Sequence, residues 1–289
     1  MASRHTVQDL LRLYAKDYLP NKAPRTQYQQ GKLFALFAQD LGHFTLAELT
    51  PVLLRSWTQH LRRRLKPGSV RQYLDVLSAV LTVAVEDLQW IDAHPMRKLP
   101  KPPVSPGRVR VLSEAERPRL LAACQQSRKP WLYALVSLAL MTGCRRGELF
   151  DFRWQDVDFE QGCFRLAETK TRIRHAVPIP TAGVELLRTM QDGQAPGAYL
   201  FTGTKPTHPF PGDHAWRAAL RRAEVHDFHF HDLRHTFASY MAMSGATLAE
   251  IAEVLGHTNL STTRRYAHFT ASHMRGVVER MAQQFLGPT

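Results

Sequence analysis

Four short segments in the second half of the chain concentrate arginine, lysine, histidine and tyrosine side chains. They are TGCRRGEL (142–149), ETKTRIRHAVPI (168–179), HDLRH (231–235) and LGHTNLSTTRRYAHF (255–269). Guanidinium groups donate in pairs to phosphate oxygens and stabilise the negative charge that develops there during cleavage. Such a reaction also needs an activated nucleophile and a proton for the leaving oxygen. The segments could therefore cleave a phosphodiester bond without a metal ion.

Six side chains in these segments could supply those functions. They are two guanidinium forks, two imidazoles, one ammonium donor and one phenol that could form a phosphate ester: Arg145, Arg234, His231, His257, Lys170 and Tyr266. Any one of them alone would be an ordinary surface or packing residue, so the prediction depends on their joint spacing. Lys205 is the alternative to Lys170, because it also lies in a loop of the same half.

A metal site is the competing interpretation of a group of four histidines, His226, His229, His231 and His235. The last two are four residues apart, but Asp232 stands where the metalloprotease pattern needs a glutamate. The sequence offers no third ligand at zinc-like spacing. We therefore expect no metal at these histidines, and we expect His235 to pack or to hydrogen-bond within its domain.

Four further residues lie inside the same segments. Cys144 has no evident base partner and is expected to be a small buried residue. Arg146, Arg264 and Arg265 are either phosphate contacts or exposed charges, and the sequence does not rank these two alternatives.

The histidine–arginine segment is predicted to begin a helix. HDLRHTFASYMAM has an apolar stripe of Leu233, Phe237 and Met241 that would anchor this helix on the core. His231 and Arg234, three positions apart, would then share one face.

The last segment is predicted to follow a capped helix. A capping box at Thr247–Glu250 starts that helix and Gly256 ends it, which sets His257 just past a helix terminus. Ser261 is expected to cap a further short helix that presents Tyr266.

The remaining patterns of residues 111–289 predict an α+β domain. A capping box at Ser113–Glu116 starts a helix that is interrupted or bent near Pro118. A buried helix opened by Pro130 ends at Thr142–Gly143. The runs DVDF, CFRLAE and HAVPIP predict a small antiparallel sheet, and helices resume after Pro211.

The first half, residues 1–93, is predicted to be a bundle of about four helices, because apolar residues recur there at three- and four-residue spacing. Ser69 is expected to cap the fourth helix. The basic run at residues 62–66 is expected to contact DNA rather than only solvent. Residues 94–110 hold five prolines and form a basic, semi-extended linker whose lysines and arginines would be free to touch phosphates.

Composition narrows the class of partner. The 289 residues carry a net charge of +13 and a pI near 10.0, which favours nucleic acid first and an acidic membrane surface second. No apolar run reaches the length of a membrane span, the N-terminus has no apolar signal core, and three cysteines are too few for a disulfide framework. We therefore expect a cytoplasmic protein, associated with the nucleoid when bound to DNA.

The four segments, in this order, resemble the catalytic boxes of the tyrosine recombinases, also called the phage integrase family. The family patterns TG-x-R…E and H-x-L-R-H match residues 142–148 and 231–235. LGH followed nine residues later by tyrosine matches residues 255–266, and Lys170 matches the lysine that precedes a VPI-type strand. The resemblance covers the second half, whereas the first half resembles the family's helical core-binding domain in architecture alone.

This resemblance implies a mainly α fold with an N-terminal SAM-like four-helix domain and an α+β catalytic domain. It implies that Arg145 and Arg234 clamp the scissile phosphate with His257, that Lys170 protonates the leaving 5′ oxygen, and that His231 assists proton transfer at Tyr266. Glu148 would support the arginine site without contacting the phosphate itself. Tyr266 would form a 3′-phosphotyrosine, and paired double-stranded sites would recombine through a Holliday junction within a homo-tetramer. No cofactor or membrane is implied, whereas accessory DNA-bending or directionality factors would fit.

Two alternatives stay open within this resemblance. A dimer resolvase of the Xer type would use the same chemistry, although the amino-acid sequence of the segments favours an integrase of a phage or mobile element. A non-catalytic DNA-binding regulator would keep the fold alone, and the intact boxes argue against it. A type IB topoisomerase usually has a different length and flanking domains. The C-terminal stretch places Met274, Val277 or Val278, Met281 and Phe285 on one helical face, which would pack on its own domain or dock on a neighbouring subunit.

Overall fold

The computed structural model describes residues 4–103, 108–165, 176–202, 213–257 and 259–286. The chain divides into two compact units, Met1–Pro106 and Gly107–Thr289. Unit 1 is helical. Unit 2 combines helices with a small sheet, and the predicted mainly α fold is confirmed.

Unit 1 contains the four predicted helices: α1 (Val7–Asp17), α2 (Pro24–Leu41), α3 (Pro51–Arg64) and α4 (Pro67–Glu86). Thr6 and Asp9 form a reciprocal capping box at the start of α1. A proline stands in the first turn of each of the other three helices, where a missing N–H costs nothing. The prediction that Ser69 caps α4 was wrong, because α4 begins at Pro67 and Lys66 occupies the capping position.

The core of unit 1 is formed by one apolar face of each helix. Val7, Leu10, Phe37, Leu54 and Leu77 are among its fully buried members. The last turn of α3 carries Arg62–Arg64, which are exposed.

The segment that follows α4 does not behave throughout as a free linker. Met96 and Leu99 are buried in the core of unit 1, and Lys101 forms an ion pair with Asp75 at 2.6 Å. The prediction of free basic side chains between residues 94 and 110 was therefore wrong for Lys101. It was also wrong for two arginines near the end of this segment, which are held within unit 2 as described below.

Unit 2 contains eight helices in its described residues. They are α5 (Glu116–Gln125), α6 (Trp131–Thr142), α7 (Arg146–Asp151), α8 (Thr181–Met190), α9 (Asp213–Arg222), α10 (Asp232–Met243), α11 (Leu248–Leu255) and α12 (Ala271–Leu286). Helix α8 was not predicted. Pro118 was predicted to interrupt or bend α5, but it does neither. It lies in the first turn, where a backbone N–H would have no carbonyl partner within the helix.

The predicted antiparallel sheet is present, with strand order β1 (Val157–Asp158), β2 (Cys163–Arg165) and β3 (Ala176–Pro178). Val157 pairs with Phe164, which pairs in turn with Val177, and all three are buried. Since side chains in register on neighbouring strands lie on the same face, this row attaches the sheet to the core of unit 2.

Helix α6 ends as predicted at Gly143, and this ending shapes the site. Gly143 has φ +64°, and a Cβ there would lie 2.3 Å from the Phe237 ring on α10. Glycine is thus required both for the left-handed turn and for the close approach of the two elements. No described helix is long and apolar enough to cross a membrane.

Candidate active site

Arg234 is a buried cation held by the ends of two helices. It lies in the first turn of α10, is 4% exposed, and donates from Nη1 to the Gly143 carbonyl at 2.8 Å and from Nη2 to the Leu255 carbonyl at 2.6 Å. Burial and then the nearby charge of Arg145 lower the pKa of Arg234 to about 10, so the guanidinium stays charged at neutral pH. The C-terminal ends of α6 and α11 carry partial negative charge, which favours a cation there.

Arg145 contacts the same end of α11 as Arg234 does. It precedes α7, and its Nη2 donates to the Gly256 carbonyl at 3.2 Å. Glu148 accepts from the Arg145 backbone N–H and from its Nη1, both at 2.7 Å. The Arg145 side chain is 46% exposed, so this guanidinium is open to an incoming anion. Glu148 thus contacts Arg145 as expected for a bracing residue.

His257 lies just past the end of α11, as predicted, with Gly256 between it and Leu255. Its backbone N–H donates to the Ala252 carbonyl at 2.8 Å, a bond that closes the helix terminus around Gly256. Its Nδ1 lies 2.8 Å from the hydroxyl oxygen of Thr263, which is fully buried. Burial, followed by repulsion from Arg234 and Arg145, lowers the pKa of His257 to about 4. The imidazole is therefore neutral at pH 7, and Thr263 orients it.

Tyr266 is buried rather than open to solvent. It lies on the 3₁₀ helix Arg264–Thr270 with 1% of its surface exposed, and its hydroxyl is 2.7 Å from Nδ1 of His235. Burial raises the pKa of Tyr266 and lowers that of His235 to about 4, so both groups are neutral at pH 7. His235 therefore hydrogen-bonds within its domain, as predicted.

The capping residue before this segment differs from the predicted one. Asn259 accepts from the Ser261 N–H at 2.9 Å and caps the short 3₁₀ helix Leu260–Thr262. Ser261 was predicted to be the cap but lies inside that turn. The segment that presents Tyr266 is thus two 3₁₀ turns, Leu260–Thr262 and Arg264–Thr270.

His231 lies at the start of α10 with an exposed side chain. Its ring stands edge-on to that of His235, with 4.9 Å between ring centroids. Partial loss of hydration and repulsion from Arg234 lower the pKa of His231. Among the described contacts, the hydrogen-bond partner of the Tyr266 hydroxyl is His235 and not His231. Lys170 and its alternative Lys205 lie outside the described residues.

Contacts in the structure describe the surroundings of residues whose roles the sequence left open. Arg146 forms an ion pair with Asp213 at 2.7 Å. Arg265 is partly buried and donates from Nε to the Thr262 carbonyl at 3.1 Å, whereas Arg264 is exposed. Cys144 is buried, as predicted, and burial raises its pKa to about 12. Within the described ranges, no group of three or more His, Cys, Asp or Glu could hold a metal ion.

Two arginines of residues 94–110 are held within unit 2, Arg108 at the start of α10 and Arg110 at the start of α5. Arg108 donates to Asp232 at 2.9 Å, and that buried carboxylate also accepts from the His229 N–H at 2.7 Å. Arg110 pairs with Glu116, and this contact lowers the pKa of the carboxyl to about 2. The backbone just before His231 is thus tied to a distant part of the sequence.

Sequence reasoning overlooked Thr263 and did not connect His235 with Tyr266. Thr263 follows His257 by six residues, and the 3₁₀ helix Leu260–Thr262 lies between them. No local periodicity predicts a contact at that separation. His235 and Tyr266 are 31 positions apart. Both contacts depend on the tertiary packing of the tyrosine segment against α10 and α11.

A model of the phage integrase family matches residues 110–273. This match covers more than half of the chain, and it includes each of the four segments described above. The chain therefore belongs to the phage integrase family.

Curated relatives are similar over most of the chain. The integrase of Salmonella phage P22 is 29% identical over 225 residues, which are 72% of this chain and 57% of the relative. The shufflon-specific DNA recombinase of Escherichia coli is 31% identical over 205 residues, which are 71% of this chain and 52% of the relative. The chain thus spans little more than half the length of these two relatives.

Solved structures show the same fold. The Tn1549 transposon integrase in complex with a circular intermediate DNA superimposes with a TM-score of 0.76 at 19% identity, over 96% of this chain and 100% of that one. A lambda integrase dimer bound to a COC' core site gives a TM-score of 0.71 at 18% identity, over 88% and 96% of the two chains. At these identities the likeness concerns the fold alone.

Proposed function

We propose that the chain is a tyrosine-type site-specific DNA recombinase in which Tyr266 attacks the scissile phosphate. One observation carries this proposal. Arg145 and Arg234 both donate to the backbone of Leu255–Gly256, the turn immediately before His257. Two guanidinium groups and an imidazole are thus held at one point of the fold, with Tyr266 on the next segment.

The two arginines can bind a phosphate without giving up their structural contacts. A guanidinium has five N–H donors, and the described hydrogen bonds occupy two of them in Arg145 and two in Arg234. As far as the described residues show, three N–H donors of each side chain are left for phosphate oxygens. Their combined charge would stabilise the pentacovalent transition state.

The other site residues are assigned by chemistry. His257 is neutral and is held at Nδ1 by Thr263, so the tautomer with a proton on Nε2 would donate to a phosphate oxygen. Glu148 would orient Arg145. Lys170 would protonate the leaving 5′ oxygen, and His231 would take part in proton transfer at the phenol.

The reaction proceeds without an external energy source. The Tyr266 oxygen bonds to phosphorus as the bond to the 5′ oxygen breaks, and the result is a 3′-phosphotyrosine and a free 5′-hydroxyl. The phenol proton passes to a base with the assistance of His231, and the 5′ oxygen gains a proton from Lys170. Attack by a 5′-hydroxyl of a second duplex reverses these steps, so that the ester is conserved. Two rounds pass through a Holliday junction.

Double-stranded DNA is the proposed substrate. The net charge of +13 and the exposed Arg62–Arg64 at the end of α3 favour a polyanion. We assign residues 1–93 to core DNA binding, residues 94–110 to a basic connection and residues 111–289 to catalysis. The integrase of Salmonella phage P22 among the relatives supports a role in a phage or mobile element, and dimer resolution is the alternative.

Covalent capture tests the proposed chemistry. The wild type is incubated with a pool of nicked duplexes of randomised sequence, and protein–DNA adducts that survive denaturation are isolated and sequenced. We expect adducts from the wild type and from Tyr133→Phe, a control on another partly buried tyrosine of unit 2, but none from Tyr266→Phe. All three should bind DNA with salt-sensitive affinity. Adducts from Tyr266→Phe would move the nucleophile, and binding without any adduct would favour a regulator.

A tetramer on two DNA sites is the proposed assembly. Helix α12 exposes Val278, Met281 and Phe285, which could dock on a neighbouring subunit. Truncation after Thr270 should preserve DNA binding and adduct formation but abolish the tetramer in analytical ultracentrifugation. An unchanged tetramer in the truncated protein would rule out docking by α12.

A further inference from the structure

The hydroxyl of Tyr266 is held by a residue that the proposed chemistry does not use. His235 Nδ1 lies 2.7 Å from the phenol oxygen, and the two residues are 6% and 1% exposed. A buried hydroxyl needs an acceptor for its proton. In the part of the chain that the structure describes, Nδ1 of His235 is that acceptor.

The Tyr266 ring lies in a buried apolar cluster, whereas the His235 ring also stands against the ring of His231. Tyr266 packs with Ala238, Ile251 and Leu255, and Phe269 covers the cluster in part. Burial raises the pKa of Tyr266 and lowers that of His235 to about 4, which leaves an uncharged phenol donating to an uncharged imidazole. The arrangement stabilises the protonated tyrosine.

A phosphodiester cannot reach the phenol in this conformation. The exposed member of the arginine pair is Arg145, at 46%, whereas the phenol is enclosed. In-line attack requires the oxygen to approach the phosphorus directly. The bond to His235 must therefore break before the nucleophile reaches a phosphate bound at the arginines.

We propose that His235 is a positioning residue that stores Tyr266 in a buried, protonated conformation, and that release of this bond contributes to the barrier of covalent attachment. This inference rests on the proposed function of Tyr266. The contact of His257 with Thr263, three residues before Tyr266, holds the same segment at a second point. That contact can persist when the phenol leaves His235.

The size of the effect follows from the type of bond. A neutral hydrogen bond that is present in the ground state but absent from the transition state raises the activation barrier by its own strength. For a bond of this type the reaction is slowed about twofold to tenfold. Loss of the acceptor should thus accelerate attachment, whereas loss of a catalytic group would slow it. The direction of the change separates storage from catalysis.

Three variants of His235 provide the test. His235→Leu removes the acceptor with little change of volume. His235→Asn places its amide close to the position of Nδ1 and keeps an acceptor there, whereas His235→Gln places the same amide near Nε2, away from the phenol. We expect Leu and Gln to form adducts about twofold to tenfold faster than the wild type in single-turnover reactions on a captured nicked duplex, and Asn to match the wild type.

A second measurement needs no DNA. Nitration of Tyr266 by tetranitromethane, mapped by mass spectrometry, should increase by a similar factor in the Leu and Gln variants and stay unchanged in Asn. Alkylation of buried Cys144 reports general opening of unit 2 and should remain slow in all variants.

The outcomes discriminate between the two proposals. Equal nitration of Tyr266 in all four proteins, or slower adduct formation by Leu and Gln with Cys144 still protected, would overturn the storage role. If Leu opens the unit and exposes Cys144, the comparison of Asn with Gln decides. If the wild type forms no adduct on any DNA, the proposed function fails, and the nitration series still decides whether His235 holds Tyr266.

Discussion

Replacement of Arg234 by lysine separates charge from geometry at the centre of the site. Arg234 joins the carbonyls of Gly143 and Leu255, at 2.8 and 2.6 Å, with two different nitrogens. Lysine keeps the charge but has one nitrogen at the end of a flexible stem, so we expect it to reach one of these carbonyls and not both. The other is then left buried without its donor.

The expected loss of stability follows from that single bond. A hydrogen bond from a charged donor contributes about 1.5–3 kcal/mol. For a unit of this size each kcal/mol lowers the Tm by about 2–4 °C, so Arg234→Lys should unfold roughly 3–12 °C below the wild type. Differential scanning calorimetry measures this shift.

The folded variant should also lose catalytic activity. The variant also lacks the paired donors for the phosphate, and removal of one such donor typically costs about 10²–10³-fold in rate. We therefore expect adduct formation to fall at least about 100-fold at a temperature where the protein is folded. A captured nicked duplex, with enzyme in excess, gives the rate of the covalent step.

Arg222→Lys is the matched control. Arg222 also donates from Nη1 to a backbone carbonyl, that of Ala123, at 2.6 Å, where it joins α9 to α5. This variant should lose some stability and keep its rate of adduct formation within a factor of about two. If both lysine variants formed adducts at the wild-type rate, Arg234 would be structural and the assignment of the clamp would be refuted.

Three further predictions follow from the same geometry. Thr263→Val removes the hydroxyl that orients His257 at nearly constant volume, so adduct formation should fall about threefold to tenfold while DNA affinity in a binding titration stays unchanged. Gly143→Ala places a methyl group 2.3 Å from Phe237 at a left-handed φ, and urea denaturation should show a loss of roughly 2–4 kcal/mol. His235 and His257 have pKa values of about 4 in the folded state, below the 6.5 of an unperturbed histidine. The unfolded chain therefore binds protons first, and stability should fall as the pH is lowered from about 6.5 towards 4, less steeply in His257→Asn.

Periodicity predicted the helices of both units because burial of one face imposes a local pattern. The buried helix α6 and its ending at Gly143 were evident for the same reason, since an apolar run and a glycine both act within a few residues. Helix α8 was missed, and it starts at Thr181, directly after the run HAVPIP that was predicted to be a strand. Local signals do not distinguish a strand end from a helix start within a few residues.

The types of the site residues could be predicted, whereas their partners could not. Arg145, Arg234 and His257 were singled out by spacing, but the carbonyls of Leu255 and Gly256 that hold the arginines carry no signature in the sequence. Any residue has a carbonyl, and only the fold decides which one is left unpaired at a helix end. The bond of His235 to Tyr266 was hidden for the same reason, because it depends on how the tyrosine segment packs.

The placement of the two arginines explains how like charges can lie together before any DNA arrives. Their contacts are mainly to carbonyls at the C-terminal ends of α6 and α11, where helix dipoles are negative. Glu148 is the carboxylate that pairs with Arg145. These partners do not fully offset the repulsion, since burial and the charge of Arg145 together lower the pKa of Arg234 to about 10. An anion bound between the guanidinium groups would relieve that repulsion, so the folded chain itself favours phosphate at this position.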